Sequence, residues 1–395
     1  MIKSWNAGQN NDLSSRMSLQ MVHESALCVN GVRKRQNMCH QGFELLNGLS
    51  FICSDKEIHQ LLNQHTVDES IQMQINLGKL RQANDHYKGD LLAIDPHNII
   101  AYSQREMVMK KDRPTNPSQK VLQTFFCIDS QTGQPLCCML GSSGQVITNA
   151  TIDLLKMVNM IINQPTLLLA DTGHFTSNFL SFVKHEELFE IIMPAPNTQK
   201  VYTILKEMDY ERKWAGYAVG DKDYFFDNNK DRFYLLGQRS GEVCRDYKYK
   251  GFISTSKEDY LKMISQDYPE RWTIEEFFNF ESAMGWNRAS TLNLNVRYGK
   301  MSLALIAQAA SYQFRKKLPK PYRQWTADTL ADSIFRGIDG DIKVVDDTII
   351  VTFYNAPEMY NLRNNYVNLP QKLSHEGINP KIPWLFDFKL DFRFK

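Results

Sequence analysis

Apolar positions along the chain change their period as it proceeds. From Ser14 to Asn84 they recur at helical spacing in a polar background, and two capping boxes, Ser54-x-x-Glu57 and Thr66-x-x-Glu69, each precede such a run. The pattern predicts two helices with a short turn at His65. A plain helical hairpin is the commoner meaning of such a pair, and a DNA-reading helix-turn-helix, favoured slightly by Arg33-Lys34-Arg35, is the alternative. Between Asp90 and Pro194 the apolar residues gather instead into runs of strand length: LLAI (91–94), TFFCI (124–128), PLCCML (135–140), TLLLA (166–170) and FEIIMP (189–194). DSQTGQP has hairpin-turn composition, and ATIDLLKMVNMII (150–162) has the spacing of a crossover helix. The order strand, strand, strand, helix, strand, helix, strand reads as α/β.

Residues 196–265 break this rhythm with dense aromatics and Gly-bearing turns such as GDKD and GQRSGE, which reads as a β-rich insertion. A helix capped by Thr255-x-x-Glu258 is expected to lead out of it, followed by one starting near Tyr268 and another over MSLALIAQAASYQF (301–314). Beyond the linker LPKPYRQW, the stretches DIKVVDD and TIIVTFY predict a small C-terminal α+β module with an aromatic tail.

Composition narrows the class. The 395 residues carry 46 Lys and Arg against 44 Asp and Glu, a net charge of +2 that excludes a histone-like polybasic chain and an acidic tail protein. With 43% hydrophobic and 11% aromatic residues, folded cores are expected rather than disorder. The seven cysteines are odd in number and scattered, so they read as reduced thiols, and a zinc site from Cys28, Cys39, His40 and Cys53 lacks C-x2-C spacing. No signal-type apolar region and no run of membrane-spanning length is present, from which a cytoplasmic location without membrane partners is expected.

Candidate chemistry lies in three acids. Asp95 directly follows LLAI and Asp171 directly follows TLLLA, each at an expected strand end, where ligands of open α/β sheets bind. Either alone could merely open a turn. In Tyr268-Pro-Glu-Arg271-Trp-Thr-Ile-Glu275, Arg271 and Glu275 share one helix face, with Glu276 a neighbouring competitor. Three carboxylates can hold two divalent cations for phosphoryl displacement.

Asp171-Thr-Gly173-His-Phe175 resembles the D-x-G-x-(Y/F) signature, and Tyr268-x2-Arg271-x3-Glu275 the Y-x2-R-x3-E signature, of DDE transposases of bacterial insertion sequences, in the subgroup whose catalytic core carries a β-strand insertion. The likeness extends over roughly 91–314 in the order of elements. It implies an RNase H-like mixed sheet with flanking helices, with Asp95, Asp171 and Glu275 as catalytic metal ligands for two Mg²⁺ or Mn²⁺ ions, and Tyr268 and Arg271 on DNA phosphates. It also implies double-stranded DNA as partner, both element terminal repeats and target, and a homodimer in the synaptic complex. One departure is that Ser282 stands where the family pattern has Lys, so Arg288 or Lys300 would have to supply that contact.

From Ser282 to Ala327 there are eight basic residues and no acid. Such clustering suits a surface that follows a phosphate backbone, with Arg288, Arg297, Lys300, Arg315, Lys316 and Lys317 as candidate contacts. In the insertion, basic residues alternate with aromatics, and Trp214 is the candidate for stacking an unpaired base, although an aromatic in a β module is more often core. The expected division is a helical N-terminal region at 1–90 that could bind DNA ends, a catalytic core at 91–195 and 266–318 interrupted by the insertion at 196–265, and a C-terminal module at 319–395. A metal-dependent nuclease on the same fold and an inactive, domesticated DNA-binding protein are the alternatives.

Overall fold

A computed structural model describes residues 1–9, 11–29, 40–111, 117–142, 144–286, 291–336, 339–356 and 359–395. Arg33-Lys34-Arg35, Cys39 and Arg288 lie outside the described residues. The chain forms two compact units, one from Gln74–Phe277 and one from Met1–Met73 with Phe278–Lys395.

The unit Gln74–Phe277 is built on a ten-stranded sheet. Its strands are β1 (Leu91–Ile100), β2 (Met109–Lys110), β3 (Gln119–Asp129), β4 (Gln134–Ser142), β5 (Thr166–Leu169), β6 (Phe189–Pro194), β7 (Glu211–Trp214), β8 (Tyr217–Tyr224), β9 (Phe233–Ser240) and β10 (Lys248–Ser254). They lie in the order β2-β3-β1-β5-β6-β10-β9-β8-β7, with β4 also paired to β3. The expected mixed α/β sheet is present. β1, β5 and β6 are parallel because helices Ile147–Ile161 and Ser177–His185 cross between them or from their neighbours, burying Leu154, Leu155, Val158, Phe179, Leu180 and Val183 on the sheet. The apolar runs read from sequence are the inner strands, with Leu92, Ile94, Phe126, Ile128, Leu168 and Ile192 fully buried.

Two expectations need correction. β1 does not stop before Asp95 but continues to Ile100, because antiparallel β3 runs alongside it as far as Val121. What ends near Asp95 is the parallel pairing with β5, whose last matched pair is Ala93 and Leu169. Thr255 does not cap a helix either. Its hydroxyl accepts from Ile191 N–H at 3.0 Å, prolonging the β6–β10 edge, while Asp259 caps the turn Tyr260–Lys262. The chain then passes through a π-helical turn, Met263–Asp267, and a 3₁₀ turn, Tyr268–Trp272, into the helix Thr273–Glu281.

The strands between Asp171 and Glu275 are not a separate sheet. β10 pairs antiparallel with β6, so β7–β10 prolong the central sheet. Gly220, Gly237 and Gly251 sit side by side on β8, β9 and β10. A Cβ at Gly220 would stand 2.2 Å from the Asp209 carbonyl, and one at Gly237 would stand 2.5 Å from Met208 Sδ, so the row lets the end of helix Gln199–Glu207 lie close on the sheet.

In the other unit, Ser54 and Glu57 form the expected capping box at the start of Asp55–Asn63, and Thr66 and Glu69 exchange the same two bonds before Val67–Ala83. The turn residue His65 is buried, with its ring stacked on Trp5 at 3.6 Å. The helix expected from 301 begins at Leu294, because the Asn293 side chain caps it through Val296 N–H. The C-terminal module is a sheet of β11 (Gly340–Val345), β12 (Thr348–Phe353) and β13 (Lys389–Phe394) beside a core of Leu318, Leu330, Ile334, Ala356 and Leu362. The tail thus supplies a strand. Cys28, Cys53, Cys127, Cys137 and Cys138 are buried, and Cys244 is exposed. Among the described residues, no helix is long and apolar enough to cross a membrane.

Candidate active site

The register of β1 against β5 carries Asp95 and Asp171 to the same level, each two residues beyond the pair Ala93 and Leu169. Asp95 faces Phe126 across β1 and β3, and the Phe126 ring meets Phe277 of helix Thr273–Glu281 at 5.5 Å. Ile274 and Phe277 anchor that helix in the core, leaving Glu275 partly exposed toward Arg271 and Glu276 on the solvent side. Glu275, not Glu276, is therefore the acid of this helix that meets Arg271.

Arg271 joins the acids. Its Nη2 donates to Glu275 Oε1 at 2.7 Å, and its Nη1 is 3.8 Å from Asp95 Oδ2. Tyr268 is close enough to the same guanidinium to feel its charge and packs edge-on against Phe252 at 4.9 Å. Burial raises the Tyr268 hydroxyl above its ordinary value.

Asp171 caps the 3₁₀ turn Thr172–His174. It accepts from Gly173 N–H at 3.0 Å, and its Oδ1 is 2.8 Å from His174 Nδ1. A Cβ at Gly173 would lie 3.1 Å from that oxygen, so glycine suits the D-x-G spacing on space alone. His174 is fully buried, and its Nε2 is 3.0 Å from Thr151 Oγ1. The two aspartates are electrostatically unlike. Burial would raise Asp171, but His174, Gly173 N–H and Arg271 outweigh it and hold the carboxyl below its usual value. Burial and then the charges of Asp171 and Glu275, offset by Arg271, push Asp95 up to about 7.

A cleft of about 580 Å³ adjoins Arg271 and Tyr268 and is also lined by Trp214, Gln238, Lys250 and Trp272. Trp214 is half exposed and stacks flat on Tyr217, with centroids 4.2 Å apart and planes at 3°. Sequence reasoning did not single out Trp272 and met Lys250 only as one of the insertion's alternating basic residues; His174 it weighed as a site residue beside Asp171 but favoured as a histidine at a helix start. Its only signal was its place three residues after Asp171.

The basic segment divides by burial. Arg297 and Arg315 are each only 6% exposed, which corrects their assignment to a DNA-facing surface. Arg315 pairs with Glu281, itself 5% exposed at the side chain, so its charge is spent inside the fold. Lys300 Nζ lies 3.0 Å from His59 Nε2. Lys316 is half-buried beside the Tyr312 ring, and Lys317 is exposed. Ser282 lies in a 3₁₀ turn with its hydroxyl on the Asn279 carbonyl and offers no cation.

Residues 86–309, more than half of the chain, match the family described as the transposase DDE domain. The chain belongs to the DDE transposase family. No curated protein matches it. Among solved structures it is similar to a piggyBac transposase in a synaptic complex with hairpin DNA, at 13% identity and TM-score 0.43, over 80% of this chain and 69% of that one. DDE transposases are metal-dependent enzymes that cleave and transfer DNA. Among the described residues no three His, Cys, Asp or Glu side chains already form a cation cage, and Arg271 stands among the carboxylates. The donor chemistry nevertheless fits a hard divalent ion: all three acids offer oxygen, and Asp95 is pushed up first by burial and then by the charge of Asp171, both of which a bound cation would offset.

Proposed function

We propose that this transposase acts at the ends of a bacterial insertion sequence, with Asp95, Asp171 and Glu275 holding two Mg²⁺ or Mn²⁺ ions. The observation that supports this reading is that Arg271 reaches both Glu275 and Asp95, while Asp171 stands at the level of Asp95 on the neighbouring strand. Metal ions bound there would supply activation of the attacking oxygen and stabilisation of the leaving one. The chain's own residues do the positioning. Arg271 and Tyr268 bind the scissile phosphate region, His174 fixes the orientation of Asp171, and the cleft beside them receives a nucleotide whose base stacks on Trp214. Water attacks phosphorus and breaks its bond to O3′, leaving a 5′-phosphate and a 3′-hydroxyl; that hydroxyl then attacks a target phosphodiester and displaces a target 3′-hydroxyl. No covalent enzyme intermediate is required.

Lys300, Lys316 and Lys317 contribute backbone contacts, and two copies of the chain pair the element ends. A nuclease on the same fold would cut without joining. An inactive DNA-binding relic, for which Ser282 speaks, would do neither. Incubation of terminal-repeat DNA and a target plasmid with divalent metal decides among them: joined products are expected from wild type and none from Asp95→Asn, whereas cutting without joining would overturn the transposition reading.

A further inference from the structure

We propose that the free edge of β11 pairs with the β11 of a second copy of this chain, in one antiparallel register, joining their C-terminal sheets into a continuous one. It gives the dimer proposed above a definite surface. Its test reads association rather than DNA cleavage, so the two can fail separately.

β11 is the outermost strand of the order β11-β12-β13, and among the described residues its outer edge has no partner strand. It exposes Ile342 (42%), Val344 (55%) and Val345 (49%). Edges meant to stay alone are blunted by proline, bulges or charged side chains; β11 has neither proline nor bulge, its pairing with β12 runs without a register shift from Gly340 to Val345, and its two charges, Asp341 and Lys343, are opposite in sign and so can pair across a twofold axis. An apolar, regular edge is a template for another strand.

The backbone phase limits how a copy can add. The hairpin closes through Asp346–Asp347 between Val345 and Thr348, and the Asp339 carbonyl accepts from Tyr354 N–H at 2.9 Å. Antiparallel alternation therefore turns the odd-numbered residues toward β12 and leaves the N–H and C=O groups of Gly340, Ile342 and Val344 facing outward. In a twofold pair, outward residues must meet outward residues.

Charge then selects among the registers. Setting Ile342 against Val344 brings Lys343 opposite Lys343. Setting Gly340 against Ile342 brings Asp341 opposite Asp341. Each places like charges at a non-hydrogen-bonded pair, where side chains approach most closely. Setting Ile342 against Ile342 instead brings Asp341 opposite Lys343 twice, and places Val344 opposite Gly340, which has no side chain to clash. Centring on Val344 would pair fewer residues and run into the turn. Asp341 is already oriented, since the Tyr354 hydroxyl donates to its carboxylate.

Sedimentation equilibrium of the full chain over micromolar concentrations tests this pairing. Wild type should dimerise, and Lys343→Asp, which makes both cross-strand pairs repulsive, should weaken dimerisation about tenfold or more. Asp341→Lys should do the same, and the double variant Asp341→Lys/Lys343→Asp should recover association near wild type. Ile342→Pro removes an outward N–H without touching the β12 ladder, so it should abolish the dimer while thermal unfolding stays near wild type. A wild type that remains monomeric, a dimer indifferent to both Lys343→Asp and Ile342→Pro, or a double variant no better than its parents would overturn the proposal.

Discussion

His174 Nδ1 lies 2.8 Å from Asp171 Oδ1, with the imidazole fully buried and its far nitrogen on Thr151. Asp171 is held ionised, so Nδ1 carries the proton of this bond, and the ring holds the carboxylate in one orientation. His174→Ala should lower metal-dependent cleavage about 10- to 100-fold and raise the metal concentration needed, because the Asp171 carboxylate, a proposed metal ligand, then keeps only the Gly173 N–H to orient it. His174→Asn, which can still donate one N–H, should recover part of both. Metal titrations of cleavage by the two variants check this, and equal losses would show that the ring serves packing alone.

Asp95→Asn separates binding from chemistry. It removes a candidate metal ligand and no basic group, so cleavage should vanish while affinity for end DNA stays near wild type. Gel shift and cleavage on the same preparation provide the measurement. Cleavage at the wild-type rate would eliminate Asp95 as a ligand.

Arg271 spans Glu275 and Asp95 with two different nitrogens, a reach that depends on the planar guanidinium. Arg271→Lys keeps the charge but not the fork, and should lose most of the cleavage rate. Rates close to wild type for Arg271→Lys would show that charge alone suffices there.

The basic segment should give two kinds of variant. Lys316→Ala/Lys317→Ala should weaken binding to all DNA sequences, with the slope of log K against log salt falling by about 0.9 for each phosphate that is no longer neutralised. Arg315→Ala should instead destabilise the fold by about 3–5 kcal/mol, because it strands buried Glu281 without its partner. Salt titrations and urea unfolding tell them apart. An Arg315→Ala protein of unchanged stability would return that residue to the DNA-facing set.

Trp214→Ala should cost about 1–3 kcal/mol of binding to ends carrying an unpaired base, the worth of stacking one base on an aromatic ring, and much less with fully paired duplex. Fluorescence anisotropy with paired and unpaired ends compares the two. Equal losses on both substrates would remove the stacking role.

Much of this protein was legible along its chain because local signals carried it. The strand-length runs from 91 to 194, both capping boxes and the Arg271-x3-Glu275 spacing depend on residues a few positions apart, and they read correctly. Asp95 and Asp171 could be singled out by their places after apolar runs, but their common level was decided by the parallel register of β1 on β5. The same long-range pairing carried β1 past Asp95, because β3 offered a partner that no local pattern announces. Burial is likewise a tertiary property. The eight cations after Ser282 look alike in sequence, yet packing buried Arg297 and Arg315 and left Lys317 in solvent, since a charge can enter a core only where a distant group such as Glu281 receives it. His174 became the partner of Asp171, rather than only a histidine at a helix start, when helix Ile147–Ile161 brought Thr151 to its other nitrogen.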